Sequence, residues 1–115
     1  MKNTAYRRPT PRSRPIPGTM NKTEEAYEQH LELLKRAGEI RDYRFEGIKL
    51  RLANRTFYTP DFVVVTDDQI ELHEVKGFWE DDARVKIKVA AEIHPWFFFV
   101  AVKKAKGGGW AVEQF

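Results

Sequence analysis

The chain has no cysteine among its 115 residues. Disulfides, thiolate zinc sites and cysteine nucleophiles are excluded, and the composition suits a reducing compartment such as the cytoplasm. Long apolar runs are lacking too. None approaches the roughly 20 residues of a membrane-spanning helix, so no membrane role is expected. The N-terminus is positively charged but has no apolar stretch behind it, which does not read as a secretory signal. Acids are missing from residues 1–20, which carry Lys2, Arg7, Arg8, Arg12 and Arg14 together with Pro9, Pro11, Pro15 and Pro17. The net charge of +3 belongs to this stretch, because the rest of the chain holds fifteen Lys/Arg against all seventeen Asp/Glu. A segment so poor in apolar residues cannot bury enough surface to order itself. It is expected to be a flexible basic arm whose four arginines contact a phosphate backbone. The competing reading is a solubilising leader, or residues ahead of a functional start at Met20.

What is present suits one α/β domain over residues 21–115, since 42% of the chain is hydrophobic and 13% aromatic. Asn21 through Gly38 reads as a helix, with Asn21 as N-cap and Glu24 three residues on as in a capping box. Tyr27, Leu31 and Leu34 recur at helical spacing, and Gly38 suits the C′ position. Residues 41–53 read as extended chain, with Ile48, Leu50 and Leu52 alternating with Lys49 and Arg51. Ala53 to Arg55 reads as a turn. Phe57 to Val65 reads as a strand that must be bulged or on an edge at Pro60. Thr66 to Gln69 reads as a turn, and Ile70 to Lys76 as the third strand. Asp81 or Asp82 is expected to cap a second helix to about His94, with Ala83, Ile87, Ala90 and Ala91 on one face and Pro95 ending it. Trp96 to Val102 reads as a strand covered on both faces. Lys103 to Gly109 reads as a basic loop, and Trp110 to Phe115 as a short last strand. The order helix, three strands, helix, strand predicts a mixed sheet flanked by helices.

Three placements carry chemistry. Ile70, Leu72, Glu74 and Lys76 alternate onto one strand face, with the acid and the base about 7 Å apart. A face that turns from apolar to charged is leaving the core for a cleft, although this pair alone reads as a salt bridge at a strand end. Asp61 shares a face with Val63 and Val65 at the mouth of a strongly β-forming run. If its strand neighbours that of Glu74, the two carboxylates converge, and they repel unless a cation lies between them. Mg²⁺ suits such a pair, because it takes one or two carboxylates and keeps waters. Glu24 lies on the helix stripe of Leu31, whereas Glu25 points to the solvated face with Glu28 and Glu32. Alone, Glu24 reads as a capping-box partner.

Together, Pro60-Asp61, twelve residues, then Glu74-Val75-Lys76 resemble the PD-(D/E)XK motif of a large nuclease superfamily. The preceding helical glutamate and the αβββαβ order resemble that superfamily's restriction-endonuclease-like core. More narrowly, Asn21-Lys22-Thr23-Glu24, Tyr58-Thr59-Pro60-Asp61-Phe62-Val63-Val64 and Glu74-Val75-Lys76-Gly77 look like a family of small phage-encoded proteins similar to Holliday-junction resolvases. The resemblance covers residue 21 to about 102. It implies a phage or prophage protein acting in a bacterial cytoplasm. It implies Mg²⁺, with Mn²⁺ able to substitute, held by Asp61, Glu74 and the backbone carbonyl of Val75, with Glu24 binding through water or steadying these ligands. Lys76 would orient or help deprotonate the attacking water and stabilise charge building on the phosphate.

Arg84 and Lys88, one turn apart, are expected to face phosphates, and Lys86 to point to solvent. Lys103, Lys104 and Lys106 form a basic stretch suited to DNA contact or to solubility. Phe78 and Trp79 read as packing residues or as stacking platforms for a splayed base. His30, His73 and His94 lack ligand spacing, with His73 a second choice for a site role. The leading expectation is a Mg²⁺-dependent endodeoxyribonuclease, structure-selective or nicking. A resolvase would be a homodimer with paired sites, because a four-way junction needs two cuts. The alternatives are a non-catalytic DNA-binding module, or a nuclease acting on ends or on RNA. No small-molecule cofactor is expected.

Overall fold

Each helix and strand in the computed structural model, which describes residues 18–77 and 81–115, follows from local chemistry. Helix α1 spans Lys22–Arg36. The Asn21 side chain accepts the Glu24 amide at 2.8 Å and Glu24 Oε1 accepts the Asn21 amide at 2.9 Å, closing the capping box. At the other end the Gly38 amide donates to Lys35 and the Glu39 amide to Leu34. Gly38 sits at φ +79°, a left-handed turn that lacks the usual Cβ penalty only at glycine. Met20, just before the helix, is half-buried against the core beneath it. Arg7, Arg8, Arg12 and Arg14 lie outside the described residues, as do Phe78 and Trp79.

Seven strands and a second helix follow among the described residues. They are β1 (Asp42–Phe45), β2 (Leu50–Ala53), β3 (Thr56–Tyr58), β4 (Phe62–Val65), β5 (Ile70–Lys76), α2 (Asp81–Ile93), β6 (Phe98–Lys104) and β7 (Trp110–Gln114). Five strands form one mixed sheet in the order β1-β4-β5-β6-β7, while β2 and β3 pair as a separate hairpin. Only β5 and β6 run parallel in it, as required when α2 carries the chain between them.

The expected strand from Phe57 to Val65 is two strands in different sheets. Proline has no amide to donate to a ladder, and at Thr59-Pro60 the chain leaves the hairpin and enters the main sheet. The extended stretch 41–53 likewise divides into β1 and β2. Gly47 lies between them, where an added Cβ would stand 2.9 Å from the Arg44 Cβ. Strand β6 begins at Phe98 rather than Trp96 and runs on through Lys103 and Lys104. Those two lysines are therefore strand residues, held opposite Ala111 and Trp110 of β7. Helix α2 begins at Asp81, so Asp81 and Asp82 are its first residues and not its cap, and the residue before them lies outside the described residues.

Alternation sorts the sheet into two faces, each under one helix. Phe62, Val64, Val75, Val100 and Val102 pack with Tyr27 and Leu31 of α1. Leu72, Phe99 and Ala101 pack with Ile87 and Ala90 of α2 and with Leu50 and Tyr58 of the hairpin. His73 falls on the α1 side and is buried there. Its Nδ1 is 2.6 Å from the Tyr27 hydroxyl and its Nε2 is 2.8 Å from Glu71 Oε1. The Nε2–H tautomer satisfies both partners, so His73 docks α1 on the sheet and faces away from Glu74. Among the described residues no helix is long and apolar enough to cross a membrane.

Candidate active site

Strand register decides which acids meet. Phe62 pairs with His73 and Val63 with Leu72 across β4 and β5, so one further step sets Asp61 opposite Glu74. The Glu46 amide donates to the Asp61 carbonyl at 2.7 Å, which fixes the Asp61 backbone to the edge of β1. Asp61 Oδ2 accepts the Val75 amide at 2.8 Å. Glu24, on the first turn of α1, is within hydrogen-bonding reach of the Asp61 carboxyl. Glu25, its neighbour, is exposed. The capping role of Glu24 and its contact with Asp61 are thus both present.

Glu74 has a side chain only 12% exposed, and both of its oxygens are engaged. Oε1 accepts the Tyr58 hydroxyl at 2.7 Å. Oε2 lies 3.0 Å from Lys76 Nζ. Burial first, then the charge and the hydrogen bond of Glu74, push the Tyr58 hydroxyl pKa up, so Tyr58 stays a donor at any working pH. Burial also dominates at Asp61. With the nearby charges of Glu74 and Glu24, and against the pull of the Val75 amide, it raises this carboxyl from 3.8 to about 8.

That shift has a consequence for stability. The folded chain holds the Asp61 proton up to about pH 8, whereas the ordinary value is 3.8. Between those limits the folded state binds more protons than the unfolded one, so its stability falls as pH rises. This contribution is complete below pH 3.8 and is lost by about pH 8 in metal-free protein. Denaturant unfolding in EDTA at several pH values should show the decline, and Asp61→Asn should flatten it. An equal slope in both proteins would place the proton elsewhere.

No protein-family model, curated protein or solved structure matches this chain. Among the described residues no three acidic or imidazole side chains have the spacing of a ready metal cage. Mg²⁺ does not require one. It takes one or two carboxylates and retains waters, and Asp61 and Glu74 supply two hard oxygen donors at adjacent strand mouths. Burial and the neighbouring charge of Glu74 both favour the protonated form of Asp61, so a cation bound there would have to displace that proton. The donor set fits a hard divalent cation.

The cations of α2 stand in different surroundings. Arg84 is ion-paired with Glu113 of β7. Lys88 lines a groove with Glu92, Glu113 and Phe115. Lys86 is exposed, as expected, and also lines the recess of Tyr58, Glu74 and Lys76. The helical wheel contains the reason. At about 100° per residue, Arg84 stands roughly 90° to one side of the Ile87/Ala90 face and Lys86 roughly 70° to the other. Only the docking of α2 decides which flank meets Glu74. Lys103 pairs in register with Lys76 across the parallel strands, and so shares its face. Tyr58 is the other residue that sequence reasoning missed. It stands three residues before Asp61, but on a hairpin whose fold back over Glu74 has no periodic signature.

Proposed function

We propose that the chain is a divalent-metal-dependent phosphodiesterase acting on DNA, a structure-selective or nicking endonuclease of PD-(D/E)XK type. The observation that carries this reading is the meeting of Glu24, Asp61, Glu74 and Lys76 at one end of β4 and β5. A module that only binds phosphate has no use for buried acids facing it. In water, Asp61 and Glu74 would hold Mg²⁺ together with the Val75 carbonyl. The ion would supply Lewis acidity and an activated water.

The chain's own residues would do the rest. Glu24 steadies Asp61 from the helix. Tyr58 fixes one Glu74 oxygen, which orients the carboxylate. Lys76, now paired with Glu74, would turn its ammonium to the non-bridging phosphate oxygens as negative charge grows there. The docked hairpin and α2 limit water around these groups, which strengthens each charge interaction. The test is a panel of labelled linear duplex, nicked duplex, flap, four-way junction, single-stranded DNA and RNA, each in Mg²⁺ and in EDTA. Cleavage of a DNA substrate in Mg²⁺ alone supports the reading. Undiminished cleavage in EDTA, or none anywhere, contradicts it.

A further inference from the structure

The recess beside Glu74 holds two amines, and among the described residues only one of them is paired with a carboxylate there. Lys76 is ion-paired with Glu74. Lys86 enters from α2, and among the described residues its close partner is the Tyr58 ring, with Nζ 5.8 Å from the centroid. That distance is at the outer limit of a cation–π contact. The Tyr58 hydroxyl is committed to Glu74, so only its ring face remains for the ammonium. Lys86 thus lines the recess beside Glu74 with its ammonium toward that ring face. The recess is about 220 Å³. Pockets that enclose a whole small molecule run from about 300 to 1,000 Å³, so this one suits a single group of a longer chain. On the far side of Lys76, Lys103 stands beside it on the next strand. Lys86, Lys76 and Lys103 thus follow one another across the mouth of β5 and β6.

We infer that Lys86 is a substrate-binding residue, taking the phosphate that neighbours the attacked one on the side of the β2–β3 hairpin. The inference rests on the phosphodiesterase reading above. A backbone crossing the mouth of β5 and β6 meets Lys86 first, then the acids and Lys76, then Lys103. Lys86 acts on binding, and Lys76 on the chemical step. Its partner chemistry is a phosphodiester chain rather than a free nucleotide, because the three amines are arranged in sequence and not around one point.

The test uses the full chain with fluorescent four-way-junction DNA. Anisotropy is read in Ca²⁺ across a salt series, and steady-state cleavage is read in Mg²⁺. Lys86 is exposed, so Lys86→Ala should keep its circular dichroism. Kd and KM should rise roughly three- to tenfold, and the salt slope should shrink by about one released counterion. The kcat should stay within about twofold. Lys86→Arg should recover most of the binding. Arg36→Ala, the same charge loss at the far end of α1, should change neither constant. An unchanged Kd and salt slope in Lys86→Ala would overturn the assignment. So would an altered Mg²⁺ requirement with an unchanged slope, since Lys86 would then merely offset Glu74. If the wild-type chain neither binds nor cuts, the phosphodiesterase reading itself fails, and this inference falls with it.

Discussion

Asp61→Asn and Glu74→Gln should each reduce metal-dependent cleavage by at least about a thousandfold, a loss of roughly 4 kcal/mol of transition-state stabilisation. Both changes keep side-chain shape and remove one charge. The carboxamide oxygen introduced by Asp61→Asn would still accept the Val75 amide, so the local backbone should hold. The two should differ in stability. Asp61 carries a buried carboxyl raised to about 8, so Asp61→Asn should stabilise metal-free protein above neutral pH. Glu74 instead accepts from Tyr58 and pairs with Lys76. Glu74→Gln weakens both contacts and should not stabilise. Single-turnover cleavage and thermal unfolding, measured side by side, separate these effects. An active Asp61→Asn variant would remove Asp61 from the site.

Lys76→Ala should lower turnover by about a hundred- to a thousandfold, the range seen when one preorganised donor to developing charge is removed. Affinity should change by no more than a few-fold. The reason is geometric. In the resting site Lys76 is already 3.0 Å from Glu74 Oε2, so a bound ground-state phosphate must compete with that carboxylate for the ammonium. The balance tips toward the phosphate as its charge increases, which is differential binding of the transition state. Removing Lys76 also removes the cation on Glu74, so divalent-ion affinity should be kept or tightened. Saturation kinetics and a metal titration on the same variant check both halves. A variant that binds DNA far more weakly yet turns over normally when saturated would make Lys76 an anchor and not a catalyst.

Much of this site was legible because it depends on local rules. The face of β5 that carries Glu74 and Lys76 follows from alternation alone, and the stripe that separates Glu24 from Glu25 follows from helical spacing. The capping box and the Gly38 turn were readable for the same reason. The unread parts depend on how elements dock. Pro60 announces an interrupted ladder, but not that the chain changes sheets there. Tyr58 reaches Glu74 only because the β2–β3 hairpin folds over the α2 side, where Leu50 and Tyr58 join that core. Arg84 and Lys86 are equivalent on a wheel, and Glu113, far along the chain, takes Arg84. Local sequence carries no term for such a choice.

Metal-dependent cleavage requires that Asp61 and Glu74 attract a divalent ion, and that can be measured without knowing the substrate. Mn²⁺ favours the same carboxylate and water ligands as Mg²⁺ and is paramagnetic, so its free fraction is read directly by electron paramagnetic resonance. Titrating Mn²⁺ into wild-type protein near neutral pH should show saturable binding at one principal site, tightening as pH rises toward 8, where Asp61 gives up its proton. Glu74→Gln and Asp61→Asn should each weaken it at least about tenfold, while Glu25→Gln should leave it unchanged. Wild-type protein that leaves Mn²⁺ free, or binding that survives both substitutions, would contradict the account.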